Sequence, residues 1–159
     1  MSSAAEQSDT TPAPWHIRKM TVADVNGVME IEHRAYPFPW SEGIFRDCLR
    51  VGYGCWIVER NDEILGYGIM MAGAGEAHIL NLCVKPESRG QGLGRMMLEH
   101  LINQSRRIRA QTVFLEVRPS NQTAIKLYLS AGFNELGVRK GYYPADGGRE
   151  DALILARHL

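Results

Sequence analysis

The chain has 159 residues, 45% of them hydrophobic and 23% charged, enough for one domain with a core of its own. Its 18 basic and 18 acidic side chains cancel to zero formal charge, so no global field argues for direct nucleic-acid binding or an anionic membrane. Three cysteines without CxxC spacing (Cys48, Cys55, Cys83) argue against a disulfide framework or zinc site and fit a reducing cytoplasm, and no apolar run approaches the roughly 20 residues of a membrane span.

Residues 1–14 are rich in Ser, Ala, Thr and Pro and read as a disordered leader, with a single domain over 15–159. The first strand is expected at 16–20. Thr21 then caps a helix carrying Val25, Val28, Met29 and Glu32 on one side. Pro37-Phe38-Pro39-Trp40 must be irregular, because two prolines remove donors and restrict their neighbours. Ser41 caps a short helix ending near Arg50. Runs 55–59 and 64–71, parted by Asn61-Asp62, read as an antiparallel hairpin. After a turn at 73–76 comes a strand at 78–84, then a helix over 92–109 with Met97, Leu98, Leu101, Ile102 and Ile108 in helical period. Residues 112–117 form a short buried strand, and Ser120 or Asn121 caps a helix with Ile125, Tyr128 and Leu129 on one face. Gly132 suits its left-handed C-terminal position, and strands at 133–137 and 152–156 close the chain. Helices alternating with strands after Val84 imply parallel pairing there, with right-handed crossovers.

The strongest local signal is Arg89-Gly90-Gln91-Gly92-Leu93-Gly94-Arg95, between a strand and a long helix. Glycines let backbone N–H groups approach an anion closely, and a helix N-terminus adds unsatisfied donors and partial positive charge. Such a turn suits a pyrophosphate, with Arg89 or Arg95 supplementing it; a glycine-rich turn without a ligand is the plainer alternative. GK[ST] and GxGxxG are both absent, so neither a Walker loop nor a Rossmann fingerprint is present. Lys85, Arg89, Arg95, Arg106, Arg107 and Arg109 cluster here, either for a polyanion or as a solvated helix face.

With Arg89, Gly92 and Gly94 in the pattern [RQ]xxGx[GA], the chain resembles the GNAT superfamily. Leu80-Asn81-Leu82-Cys83-Val84 is similar to the family strand whose backbone meets the pantetheine arm, and 115–121 and 127–133 resemble the family's second half. Phe38-Pro39-Trp40-Ser41-Glu42, Glu116-Val117-Arg118, Asn121, Tyr128, Tyr142-Tyr143-Pro144 and Gly148-Arg149-Glu150-Asp151-Ala152 narrow the likeness to the RimI-type ribosomal-protein-alanine N-acetyltransferases. Pro119, where such proteins often carry a small residue, and the longer leader depart from the pattern. The resemblance implies an α/β fold with a mixed sheet of about six to seven strands flanked by helices. It also implies acetyl-CoA as donor, no metal, and as acceptor the N-terminal alanine of the small-subunit ribosomal protein numbered eighteen. Leu82, Cys83, Val84, the run from Arg89 to Arg95 and Asn121 would hold the cofactor.

Acetyl transfer needs a neutral amine, a polarised thioester and a protonated leaving thiolate. An α-amine has a pKa of about 7.7–8.0, so neutralising it at pH 7 costs only ~1 kcal/mol, against ~4–5 kcal/mol for a lysine. An N-terminus is therefore the easier acceptor. Glu116 ends an apolar strand, and desolvation there would suit a general base; pairing with Arg118 or Arg139 is the structural alternative. Tyr128 by periodicity alone is core, whereas the resemblance makes its hydroxyl the acid that protonates the thiolate. Asn121 combines a helix-cap reading with the implied contact to the cofactor. Direct attack by the amine leaves Cys83 no nucleophilic role.

For the acceptor peptide, 37–41 and 142–149 are candidate loops, with Phe38, Trp40, Tyr142, Tyr143 and Arg149 as candidate contacts; aromatics tucked into their own domain are the alternative. The histidines lack metal-ligand spacing. Competing readings are a GNAT enzyme for lysine side chains or small amines, and a non-catalytic CoA-binding module. Glu116 with Tyr128 argues against the module, and the two aromatic segments argue against the small-amine enzyme.

Overall fold

The structure, a computed structural model, describes residues 14–159; the expected leader lies outside the described residues except for Pro14. Strand β1 (His16–Lys19) leads through a 3-10 turn, Val22–Asp24, into helix α1 (Val25–Ala35). Thr21 begins that turn as expected, with the Asp24 carboxylate accepting from its backbone N–H at 2.8 Å. Helix α2 (Glu42–Arg50) starts at Ser41, whose Oγ accepts from the Ile44 N–H at 3.3 Å. Strands β2 (Gly54–Arg60), β3 (Glu63–Gly73) and β4 (Glu76–Val84) form a meander. Its tight turns carry left-handed residues, Asn61 and Asp62 in the first and Ala74 and Gly75 in the second, matching the twist of the strands. Helix α3 (Leu93–Arg107), strand β5 (Thr112–Val117), helix α4 (Gln122–Ser130) and the hairpin β6 (Asn134–Ala145) and β7 (Gly148–His158) complete the chain.

All seven strands join one mixed sheet in the order β1-β2-β3-β4-β5-β7-β6. On one face, Val25, Val28 and Ile31 of α1 and Phe45 and Cys48 of α2 cover Cys55, Ile57, Tyr67, Ile69 and Cys83. On the other, Leu93, Met97, Leu98, Leu101 and Ile102 of α3 and Tyr128 of α4 cover Val58, Ala77, Ile79, Val113, Leu115 and Leu155. Each fully buried aliphatic side chain contributes about 1.5–3 kcal/mol, so two such layers hold the sheet rigid between them. Gly68 brings α3 close: a Cβ there would lie 2.9 Å from Met97 Cγ.

The expected fold and element order are present, with three differences. Parallel pairing is confined to β4 and β5; the path through α4 leaves β6 parallel to β5 but with β7 between them, antiparallel to both. β6 and β7 run far beyond 133–137 and 152–156, to 12 and 11 residues. Consequently the segment 142–149 is the end of a hairpin rather than a free loop. Pro144 lies within β6, an edge strand, where a missing donor is tolerated. The extra residues around Lys140 and Gly141 bulge out, and the bulge is closed by Asp151 Oδ1 accepting the Gly141 N–H at 2.8 Å.

Candidate active site

The site begins as a defect in the sheet. β4 and β5 pair only from Glu76↔Thr112 to Ile79↔Leu115. Against β3, Met70 faces Ile79 while Ile69 faces Asn81, which leaves Leu80 as an unpaired bulge residue at the point where pairing with β5 stops. A bulge bends its strand and sharpens the local twist, so β4 turns away and a gap opens between residues 80–84 and 116–117. β3 and β7 keep pairing on the outer sides of the two strands.

The edges of this gap are chemically distinct. Lys85 donates its N–H to the Leu65 carbonyl of β3; by the two-residue alternation of a strand, Cys83 bonds the same way, and Leu82 and Val84 turn their peptide groups into the gap. The Tyr36 hydroxyl donates to the Leu82 carbonyl at 3.1 Å, and Arg89 Nε donates to that of Val84 at 3.4 Å. Burial, followed by the nearby Cys83 and Glu32, pushes the Tyr36 hydroxyl well above its usual pKa. Cys83 itself is 4% exposed, and burial raises its thiol pKa.

At the mouth, Gly90 and Gly92 adopt φ values of 77° and 85°, and a Cβ added to either would meet nothing within 4 Å. Gly92 caps α3 without a side-chain acceptor, and the first turn holds no acidic residue. The leading N–H groups of α3 and the exposed Gln91 therefore border an open, electropositive cradle. Leu93 is buried and anchors it; Arg95 bonds Ser130 of α4 and so pins the helix start. A Cβ added to Gly94 would meet Leu127 and Val84 at ordinary contact distance. Asn121 caps α4, its Oδ1 accepting from the Ala124 N–H at 3.2 Å, which leaves Nδ2 for a ligand. An open cradle for a diphosphate and a strand edge offering alternate amides fit the elongated cofactor implied by the sequence.

Glu116 and Tyr128 approach the gap from opposite faces. Val113, Leu115 and Val117 enter the core under α3, so by alternation Glu116 points to the face that carries α1 and α2. The enclosed apolar setting expected for it is only half present: its side chain is 28% exposed, and Oε1 lies 3.4 Å from Arg139 Nε. Tyr128 is buried from the α4 side, edge-on to Phe133 at 5.9 Å. Burial first, then the neighbouring Tyr143 and Cys83, raises its pKa, so the phenol holds its proton. Tyr143 borders both groups. Its own hydroxyl is pushed up to about 12 by burial and then by Glu116, while Arg118 pulls the other way.

The remaining expected contacts divide. Phe38 and Tyr142 are exposed, whereas Trp40 packs on Phe45 at 5.3 Å and belongs to the core beneath α1 and α2. Tyr142 and Tyr143 stack edge-to-face at 4.8 Å. Arg149 donates to the carbonyls of Gly141 and Tyr142, so its guanidinium braces the β6 bulge. Sequence reasoning missed Tyr36, Arg118 and Glu32. Glu32 is 1% exposed and accepts from Asn81 Nδ2 at 2.7 Å; burial raises its pKa against that hydrogen bond. A carboxylate on the apolar side of α1 was the available signal. Among the described residues no three His, Cys, Asp or Glu side chains gather as a metal would require, and no helix is long and apolar enough to cross a membrane.

Residues 25–133 match the model of the acetyltransferase (GNAT) family. The ribosomal protein bS18-alanine N-acetyltransferase of Escherichia coli K12 is 41% identical over 140 residues, 88% of this chain and 95% of that protein. Its counterpart from Haemophilus ducreyi is 39% identical over 90% of this chain and 99% of its own length. The crystal structure of the ribosomal-protein-S18-alanine N-acetyltransferase from Escherichia coli superposes with a TM-score of 0.85, at 39% identity, covering 91% of this chain and 94% of that one. The fold is also that of the Salmonella typhimurium protein yncA, described with its cofactor acetyl-CoA (TM-score 0.75, 22% identity, covering 91% of this chain and 94% of that one). The chain belongs to the GNAT acetyltransferase family, in its ribosomal-protein-alanine N-acetyltransferase branch.

Proposed function

We propose that the chain acetylates the N-terminal α-amine of a protein, the alanine of ribosomal protein bS18 in particular, with acetyl-CoA as donor. The observation that carries this reading is the opened sheet, with a glycine-lined helix opening and a buried phenol on its α3–α4 face and a carboxylate on the face that carries α1. Identity of 41% across 88% of the chain to an enzyme named for that acceptor supports the choice of substrate. A ribosomal acceptor and three free, buried cysteines accord with the cytoplasm.

The donor supplies an acetyl thioester, and the residues supply its surroundings. Leu93, Gly94 and the other residues opening α3, with Arg89, Gly90, Gln91, Gly92 and Arg95, bind the diphosphate. Asn121 adds a donor near it, and the peptide groups of Leu82 and Val84, flanking Cys83, align the arm along β4. Glu116 takes a proton from the incoming ammonium, directly or through one water, and Arg139 keeps the carboxylate oriented. Tyr128, held neutral, delivers its proton to the departing thiolate. Phe38, Tyr142 and Tyr143 flank the acceptor's chain end, with Trp40 and Arg149 fixing the segments that carry them.

The test is to incubate the protein with acetyl-CoA and a lysine-containing peptide that starts with alanine, then locate the added mass by fragmentation. Modification at the α-amine is expected. Acetylation confined to the lysine or to small amines would overturn the acceptor assignment, and binding without turnover would overturn the enzyme reading.

A further inference from the structure

Three segments far apart in sequence meet at one guanidinium. Arg118 follows β5, and its charge centre lies 4.5 Å from the Tyr143 ring of β6 and 5.5 Å from the Phe38 ring between α1 and α2. In addition, Nη1 donates to the Pro144 carbonyl at 2.7 Å and approaches Glu150 Oε1 at 3.5 Å. That same carboxylate oxygen accepts from Ser120 Oγ at 2.9 Å, which ties the turn before α4 to β7. The side chains of Arg118 and Glu150 are each 24% exposed, so solvent screens these contacts only in part.

The chemistry of arginine explains the choice of residue. A planar guanidinium lies over aromatic faces while its N–H groups bond in the plane to oxygens; an ammonium has no such fork. Phe38 enters neither core cluster and is 40% exposed, unlike Trp40 two residues on. Its ring is therefore held by contacts at the mouth rather than by burial. Tyr143, on the opposite wall, is held by the same cation. The separation of the two rings is set by the guanidinium that contacts both.

We propose that Arg118 is a positioning residue that assembles the acceptor cleft, holding Phe38 and Tyr143 at the spacing that grips the chain end and so setting acceptor affinity. This assignment rests on the acceptor reading above. It requires no contact between Arg118 and acetyl-CoA, and it explains why an arginine stands two residues after Glu116, where β5 delivers both side chains to the same opening.

The assignment is tested by steady-state kinetics of Arg118→Gln and Arg118→Lys with acetyl-CoA and an alanine-initiated peptide. Amide exchange is measured alongside over residues 36–40 and 141–150. The glutamine variant should raise the peptide KM about tenfold or more while the acetyl-CoA KM stays within about twofold, and lysine should restore part of the loss. Exchange should quicken in both segments and not in β2 or β3. Unchanged peptide KM, an equal rise for both substrates, or unchanged exchange would overturn the assignment. If the glutamine variant does not fold, the lysine variant carries the same comparison. Absence of α-amine acetylation by the unaltered protein would instead remove the acceptor reading, and the positioning role with it.

Discussion

Alanine at Gly92 separates backbone strain from ligand binding. Gly92 sits at φ 85°, ψ 7°, and a Cβ there meets no atom within 4 Å. The fold therefore loses only the left-handed conformational cost, about 1–2 kcal/mol, with no steric contribution. For a chain of this size that lowers Tm by about 2–8 °C. On the proposed binding mode a diphosphate changes the outcome, because the added methyl would enter the open space beside the α3 N-terminus that its oxygens would occupy. Losing one charge-assisted hydrogen bond costs about 1.5–3 kcal/mol, or roughly ten- to hundredfold in Kd for coenzyme A. Gly75 provides the control: its φ is 79°, its added Cβ also meets nothing, and it lies in the β3–β4 turn away from the gap. Gly75→Ala should lower Tm comparably and leave Kd alone. Calorimetric titration with coenzyme A at 25 °C, with thermal melts of both variants, reads the difference. Equal affinity in Gly92→Ala and Gly75→Ala would refute the cradle.

Glu32 carries a pH dependence of stability. Its folded pKa lies above the unfolded value because of burial, so its contribution is fully present below the unfolded carboxyl range and is lost as pH rises through the folded value. Relative to the wild type, Glu32→Gln should gain in Tm as pH rises from the unfolded carboxyl range, about pH 4–5, towards the raised folded value; a difference that is flat or reversed on that rise counts against a raised carboxyl. Cys83→Ala should keep kcat within about twofold, because a buried thiol with a raised pKa is no nucleophile. An acetyl group found on Cys83 after incubation with acetyl-CoA alone would contradict direct transfer.

Local signals made most of the fold readable. Asn61-Asp62 announced its turn because few residues tolerate two consecutive left-handed positions, and Asn121 announced its helix because it can satisfy an orphan N–H. The glycines at 90, 92 and 94 marked the helix opening that borders the gap. What decides the gap itself was not readable: Leu80 is an ordinary strand residue, and its bulge exists only relative to β3. The long hairpin was hidden because Gly141 and Pro144 look like breakers until β6 is known to be an edge. Arg139 was one of the two partners the sequence offered for Glu116, but the contacts of Arg118 could not be assigned from spacing, since Phe38 and Glu150 come from other elements. Glu116 found its pairing with Arg139 rather than the dry surroundings that its neighbours in sequence suggested.

Proton transfer across the gap is tested most directly by measuring kcat and acetyl-CoA affinity side by side in Glu116→Gln and Tyr128→Phe. The pair between Glu116 and Arg139 is partly exposed and worth at most about 1 kcal/mol, so Glu116→Gln should not unfold the protein, and Tyr128→Phe keeps the ring that packs in the core. Each variant should turn over about 10²- to 10⁴-fold more slowly on an alanine-initiated peptide while binding acetyl-CoA as tightly as before. Full turnover in either variant, or loss of turnover that tracks loss of cofactor binding, would contradict a carboxylate and a phenol working from opposite faces of the sheet.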